Sequence, residues 1–134
     1  MKALKARIPK ALPHRAKLNA CDNSGAQIVR IISVKGAKTV KRRTPAAGVG
    51  DLIYVAVVKG SPEMRKQVVP AVVVRQKKEY RRPDGTRIKF YDNAAVVLKD
   101  EKQGTPKGTI FKGPIAKEAA DRWPGIAKIA SVVV

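Results

Sequence analysis

The chain has 134 residues, with 29 Lys+Arg against 10 Asp+Glu and a formal charge of +19 when its one histidine is neutral. This length fits a single domain at roughly 100–200 residues per domain. Self-repulsion at such a charge disfavours a compact state, since a small soluble domain normally carries a net charge of about 2–8, so a polyanionic partner is expected. Hydrophobic residues make up 44% of the chain and aromatics only 4%, so its core must come mainly from Val, Ile, Leu and Ala. The lone Cys21 excludes an internal disulfide, and with His14 it cannot complete a Cys/His zinc site. A reducing, intracellular setting is expected. The longest apolar runs, residues 52–58 and 68–74, are far shorter than the roughly 20 residues of a membrane-spanning helix. The basic opening lacks the apolar block of a secretory signal, and Pro9 and Pro13 break a presequence helix.

Residues 1–16 combine these prolines with one sign of charge, the pattern of a basic tail with little structure of its own. Beyond them, Val- and Ile-rich runs predict strands over residues 17–21, 27–34, 51–59, 70–77 and 93–98. Asp22-Asn23-Ser24-Gly25, Ala47-Gly48-Val49-Gly50-Asp51 and Gly60-Ser61-Pro62 supply the turns. Strands at this spacing, with no long helix between them, predict an antiparallel sheet closed into a small barrel.

Arg81-Arg82-Pro83-Asp84-Gly85-Thr86-Arg87 reads as a hairpin tip, where Pro83 pre-sets one torsion and Gly85 accepts positive φ. On its return arm Arg87, Lys89 and Tyr91 face one way and Ile88 and Phe90 the other. A polar connection over residues 99–104 leads to Thr105-Pro106, read as the cap and first turn of a short helix. Residues 115–122 predict a second short helix, bounded by Gly113-Pro114 and Trp123-Pro124-Gly125. Its spacing turns Ile115 and Ala119 toward the barrel and exposes Lys117, Glu118 and Asp121. Residues 126–131 form a further turn or a strand.

Catalytic groups are sparse. The acids are scattered, and the adjacent pair Asp100-Glu101 lies between Lys99 and Lys102, unlike the carboxylate cluster of a two-metal nuclease. Gly48-Val49-Gly50 lacks the third glycine and the helix of a dinucleotide fingerprint. His14 reads as solvated or phosphate-contacting, and Cys21 as a small buried hydrophobe. No enzymatic activity, cofactor, metal or small-molecule substrate is expected. Cations, in contrast, concentrate in two segments: Lys35, Lys38, Lys41, Arg42 and Arg43, then Arg75, Lys77, Lys78, Arg81, Arg82, Arg87 and Lys89. Arg forks and Lys point charges suit phosphates. With few rings for stacking single-stranded bases, folded RNA recognised by shape is the expected partner.

Ala71-Val72-Val73-Val74-Arg75, Arg81-Arg82-Pro83-Asp84-Gly85, Phe90, Asp92-Asn93 and Val96-Val97 together resemble the signature of the L-fourteen family of universal large-subunit ribosomal proteins. Residues 18–26, 45–51 and 113–118 are similar to further landmarks of that family, in its order, so the resemblance spans residues 17–131. The basic tail, Ile32-Ser33-Val34-Lys35-Gly36 and Ala119-Ala120-Asp121-Arg122-Trp123-Pro124 look like the archaeal and eukaryotic branch.

The resemblance implies a mainly β fold: a small closed five-stranded antiparallel barrel, a projecting hairpin ribbon and short C-terminal helices. Residues 1–134 would be one domain, with a basic tail to 16, barrel and ribbon over 17–98 and the helical region over 99–134. It further implies a structural constituent of the large ribosomal subunit in the cytoplasm. Such a protein binds large-subunit rRNA, contributes to bridges with small-subunit rRNA, touches neighbouring ribosomal proteins and offers its C-terminal region to an anti-association factor. Carried onto this chain, Lys38, Lys41, Arg42, Arg43, Arg75, Lys77, Lys78, Arg81, Arg82, Arg87 and Lys89 become rRNA contacts. Lys117, Glu118, Asp121, Arg122 and Trp123 become protein contacts, although a Trp beside a proline is more often a packing anchor. The competing readings are a free-standing RNA-binding or RNA-chaperone module and an enzyme acting on RNA.

Overall fold

The computed structural model describes residues 6–134. In chain order its elements are β1 (Leu12–Pro13), β2 (Lys17–Ala20), β3 (Ala26–Val34), β4 (Ala46–Ala47), β5 (Leu52–Gly60), β6 (Val68–Arg75), β7 (Tyr80–Arg81), β8 (Arg87–Ile88), β9 (Ala94–Asp100), β10 (Thr105–Pro106), α1 (Lys117–Arg122) and α2 (Pro124–Ile129). The five strands β9, β2, β3, β5 and β6 are neighbours in that order, and β6 pairs back onto β9 to close the barrel.

Four of the five seams are antiparallel, as expected, but β2 runs parallel to β9, with Asn19 beside Ala94. The all-antiparallel expectation is corrected here by parity: an odd number of strands cannot alternate direction all the way round a closed ring. Register shifts along β3 between Ala26/Ile28, Ile28/Val29 and Ile31/Ser33 bend this nine-residue strand around the barrel.

The run from Ala71 to Val74 does not alternate because both faces of β6 are covered. Ala71 and Val73 point into the barrel with Leu18, Val29, Ile31, Ile53, Val55 and Val97. Val72 and Val74 point outward into a second core with Leu52, Val96, Leu98, Ile115, Ala119, Trp123 and Ile126, where the C-terminal region packs on the barrel wall. Cys21 is buried in this second core, as a small hydrophobe would be.

Three further expectations are corrected. The segment before Lys17 is not a bare tail in its described part: Leu12 is buried, β1 pairs with β4, and Ile8 packs against the second core. Burial of that one leucine ties residues 12–13 to the barrel. Thr105-Pro106 is not helical; it forms an edge strand against β9, where the proline's missing N–H leaves no ladder bond unmade. The helix expected over 115–122 starts later, at Lys117, because Ile115 is held extended: its N–H donates to Val132 O and its carbonyl accepts from Val134 N–H. Residues 124–129 resolve as helix, with Pro124 in its first turn.

Candidate nucleic-acid interface

Strand directions gather the two basic segments. β3 ends, β5 begins, β6 ends, β9 begins and β2 begins at one rim of the barrel, as Val34↔Ile53, Leu52↔Val72, Arg75↔Ala94 and Asn19↔Ala94 show. The loop after β3 carries Lys38, Lys41, Arg42 and Arg43, and the ribbon leaves from β6 and returns to β9. Both therefore project from that same rim, about forty residues apart in sequence.

Of the eleven cations expected to touch RNA, Lys38, Lys41, Arg42, Arg43, Lys77, Lys78, Arg81 and Lys89 are exposed and make no ion pair among the described residues. Arg42 adopts a left-handed φ of 67°, which turns the loop sharply. Arg87 is exposed but pairs across the ribbon with Glu79 at 3.1 Å. The ribbon's tip is shaped by Asp84, whose carboxylate accepts from Thr86 N–H and Oγ1–H, contacts that draw its pKa down. Its return arm alternates as expected, with Arg87, Lys89 and Tyr91 exposed and Phe90 buried.

Arg75 is a correction. It is only 3% exposed, its Nη1 donates to the carbonyls of Lys112 and Pro114, and Nη2 donates to Asp92 Oδ2. Nε lies 2.9 Å from Asp92 Oδ1, an ion-pair contact lacking hydrogen-bond alignment, and the guanidinium stacks on Tyr91. Gly113 runs so close beneath it that a Cβ there would overlap the guanidinium and lie 2.9 Å from Tyr91 Oη. The side chain fastens ribbon base, barrel and C-terminal segment, and none of its donors faces solvent.

Arg82 is half-buried rather than free at the tip. Its Nε is 2.8 Å from Glu118 Oε1, and Tyr80 Oη donates to Glu118 Oε2 at 2.9 Å. Burial and then the neighbouring carboxylate push the Tyr80 pKa up. Glu118, expected on the solvent face of α1, is thus turned into this contact because Arg82 and Tyr80 supply its donors. Trp123, placed among the protein contacts, is 1% exposed and donates its Nε1–H to Gly50 O at 2.9 Å. It is a packing anchor. Arg122 is half-buried against Gly50 O and Asp51. Lys117 and Asp121 remain exposed on α1, beside an open groove of about 760 Å³ between residues 6–8, the ribbon's first arm and α1.

Among the described residues no three His, Cys, Asp or Glu side chains gather as a metal site, and no helix is long and apolar enough to cross a membrane. The Cys21 thiol is pushed up to about 12 by burial, which keeps it protonated and unreactive. Sequence reading missed Lys17 and Arg30, whose outward parity was visible but whose pairing required the register of β2 on β3.

A small β-barrel with a basic rim and a helical cap on its wall is the class of protein that these features define. The chain belongs to the family described as ribosomal protein L14p/L23e, which it matches over residues 11–134. This is a structural, non-enzymatic family. The chain is 59% identical over 134 residues to the large ribosomal subunit protein uL14 of Nanoarchaeum equitans, covering 100% of both chains. It is 53% identical over 133 residues to the protein of that description in Methanococcus vannielii, covering 99% of both.

Proposed function

We propose that this protein is a structural constituent of the large ribosomal subunit, resident in the cytoplasm, which holds large-subunit rRNA against the basic rim of its barrel. The carrying observation is the convergence of eight exposed cations, without an ion pair among the described residues, from two distant segments on one rim of a rigid scaffold. Each cation that meets a phosphate releases counterions, so affinity comes chiefly from the backbone and falls steeply with salt. With few exposed rings, the rim reads RNA by shape.

The loop carrying Lys38, Lys41, Arg42 and Arg43 and the ribbon carrying Lys77, Lys78, Arg81, Arg87 and Lys89 supply the contacts. As projecting elements they reach small-subunit rRNA as well, in bridges between subunits. Exposed Lys117 and Asp121, with the groove beside α1, offer a surface to neighbouring ribosomal proteins and to an anti-association factor. Residues 1–134 act as one domain in this reading.

Cosedimentation distinguishes a subunit protein from a free-standing RNA chaperone. The chain is expected to stay with high-mass particles through a moderate salt wash, and crosslinks inside those particles should map to the rim. Recovery chiefly as free protein, with no RNA attached at physiological ionic strength, overturns the assignment.

A further inference from the structure

The register of β2 on β3 sets Lys17 directly opposite Arg30 on the outer wall of the barrel. Both are exposed, and like charges directly opposed across a ladder are destabilising. Arg15 joins them: its N–H donates to Ile31 O at 3.0 Å, and it holds a left-handed φ of 73°, a conformation unusual for a residue with a Cβ.

None of these three side chains has an ion-pair or hydrogen-bond partner among the described residues. Asp92, which accepts from Asn19 two residues along β2 from Lys17, is committed to Arg75. The row continues from Arg30 to Ala56 and Val68, with no acid in it, and the small Ala56 keeps the wall low. The patch is tied to the basic loop through the backbone, since His14, next to Arg15, donates its N–H to Pro45 O two residues beyond Arg43.

We propose that Arg15, Lys17 and Arg30 form a second phosphate-contacting patch, which takes the sugar–phosphate backbone of the RNA held at the rim as it passes down the barrel wall. This rests on the RNA-binding reading above. Two long cationic side chains rising from Cβ atoms about 5 Å apart reach neighbouring phosphates of one strand. The repulsion that the free protein carries at this spot is relieved by the ligand.

The test compares four full-length proteins binding purified large-subunit rRNA over a salt series: wild type, Arg15→Asn/Lys17→Gln/Arg30→Gln, the ribbon control Arg81→Gln/Lys89→Gln, and Lys17→Glu. Asn at position 15 tolerates the left-handed backbone. The triple variant is expected to melt no lower than wild type, to bind about tenfold or more weakly near 0.15 M salt, and to lose about 2–3 from the magnitude of the log–log salt slope. Lys17→Glu is expected to raise the melting temperature, by pairing with Arg30, while weakening RNA binding.

Wild-type affinity and slope in the triple variant, with the ribbon control weakened, overturn this proposal and leave the rim assignment standing. A more stable Lys17→Glu variant with unchanged affinity also overturns it, marking the wall as solvated. Failure of the wild type to bind the rRNA overturns the RNA reading and this patch with it.

Discussion

Arg82 and Glu118 form a half-buried pair, 2.8 Å between Nε and Oε1, that fastens the ribbon's first arm to α1. Arg82 Nη2 also donates to Val134 O at 2.6 Å, so one guanidinium spans ribbon, helix and the last residues described. The two-residue strands of the ribbon, β7 and β8, are too short to hold direction alone. The pair gives the basic hairpin a fixed bearing on the barrel.

Adjacent arginines on the ribbon should therefore behave differently. Arg82→Ala strands a carboxylate in a half-buried setting and is expected to cost about 1–3 kcal/mol. Arg81→Ala leaves stability within about 0.5 kcal/mol and lowers the magnitude of the RNA salt slope by about one. Urea unfolding followed by the emission of Trp123, the chain's one tryptophan, and a salt titration of rRNA binding read the two effects.

The Arg75–Asp92 pair, with its guanidinium buried and its carboxylate half-buried, carries a larger cost. Arg75→Met leaves the Asp92 carboxylate without its cation, with Asn19 as a remaining donor, and strips the carbonyls of Lys112 and Pro114 of their guanidinium donor, so about 3–5 kcal/mol of stability should be lost. Arg75→Met/Asp92→Asn should lose clearly less than the sum of the single variants. Additive losses in a double-mutant cycle would show that the residues are not coupled.

Leu12→Ala tests the docking of the N-terminal segment. A leucine 3% exposed that packs with Ala47 and Ile53 should cost about 2–5 kcal/mol on truncation. An unchanged urea midpoint would return these residues to the status of a loose tail.

Cys21 sets a pH dependence. Burial raises its folded pKa from 9.0 to about 12, whereas the unfolded thiol ionises near its ordinary value. The raised value means that its contribution is intact below about pH 9 and is lost as pH climbs toward 12, at up to about 1.4 kcal/mol per unit. Stability of the wild type relative to Cys21→Ala should therefore decline as pH rises above about 9. Alkylation of the native thiol at pH 8 should proceed only after unfolding. Prompt alkylation of folded protein would contradict the burial.

Charge, strand runs and the hairpin turn were open to reading in one dimension because each is a local property. An excess of cations needs no fold to be counted, and Pro83 with Gly85 specifies a turn through its own torsions. The alternation from Arg87 to Tyr91 likewise follows from strand geometry alone. Strand spacing also predicted the closed barrel, and family landmarks added its count of five strands.

The roles of individual charges followed from tertiary structure alone. Arg75 and Arg81 look alike in a basic segment, yet one is sealed under Gly113 and the other faces solvent. Glu118 lies 36 residues from Arg82 in the chain and meets it only because the C-terminal region packs on the outer face of β6. Lys17 and Arg30 became opposed through register, and the parallel seam came from ring parity. Burial and pairing depend on which distant segments meet, and that information resides in the closed barrel rather than in any local run of residues.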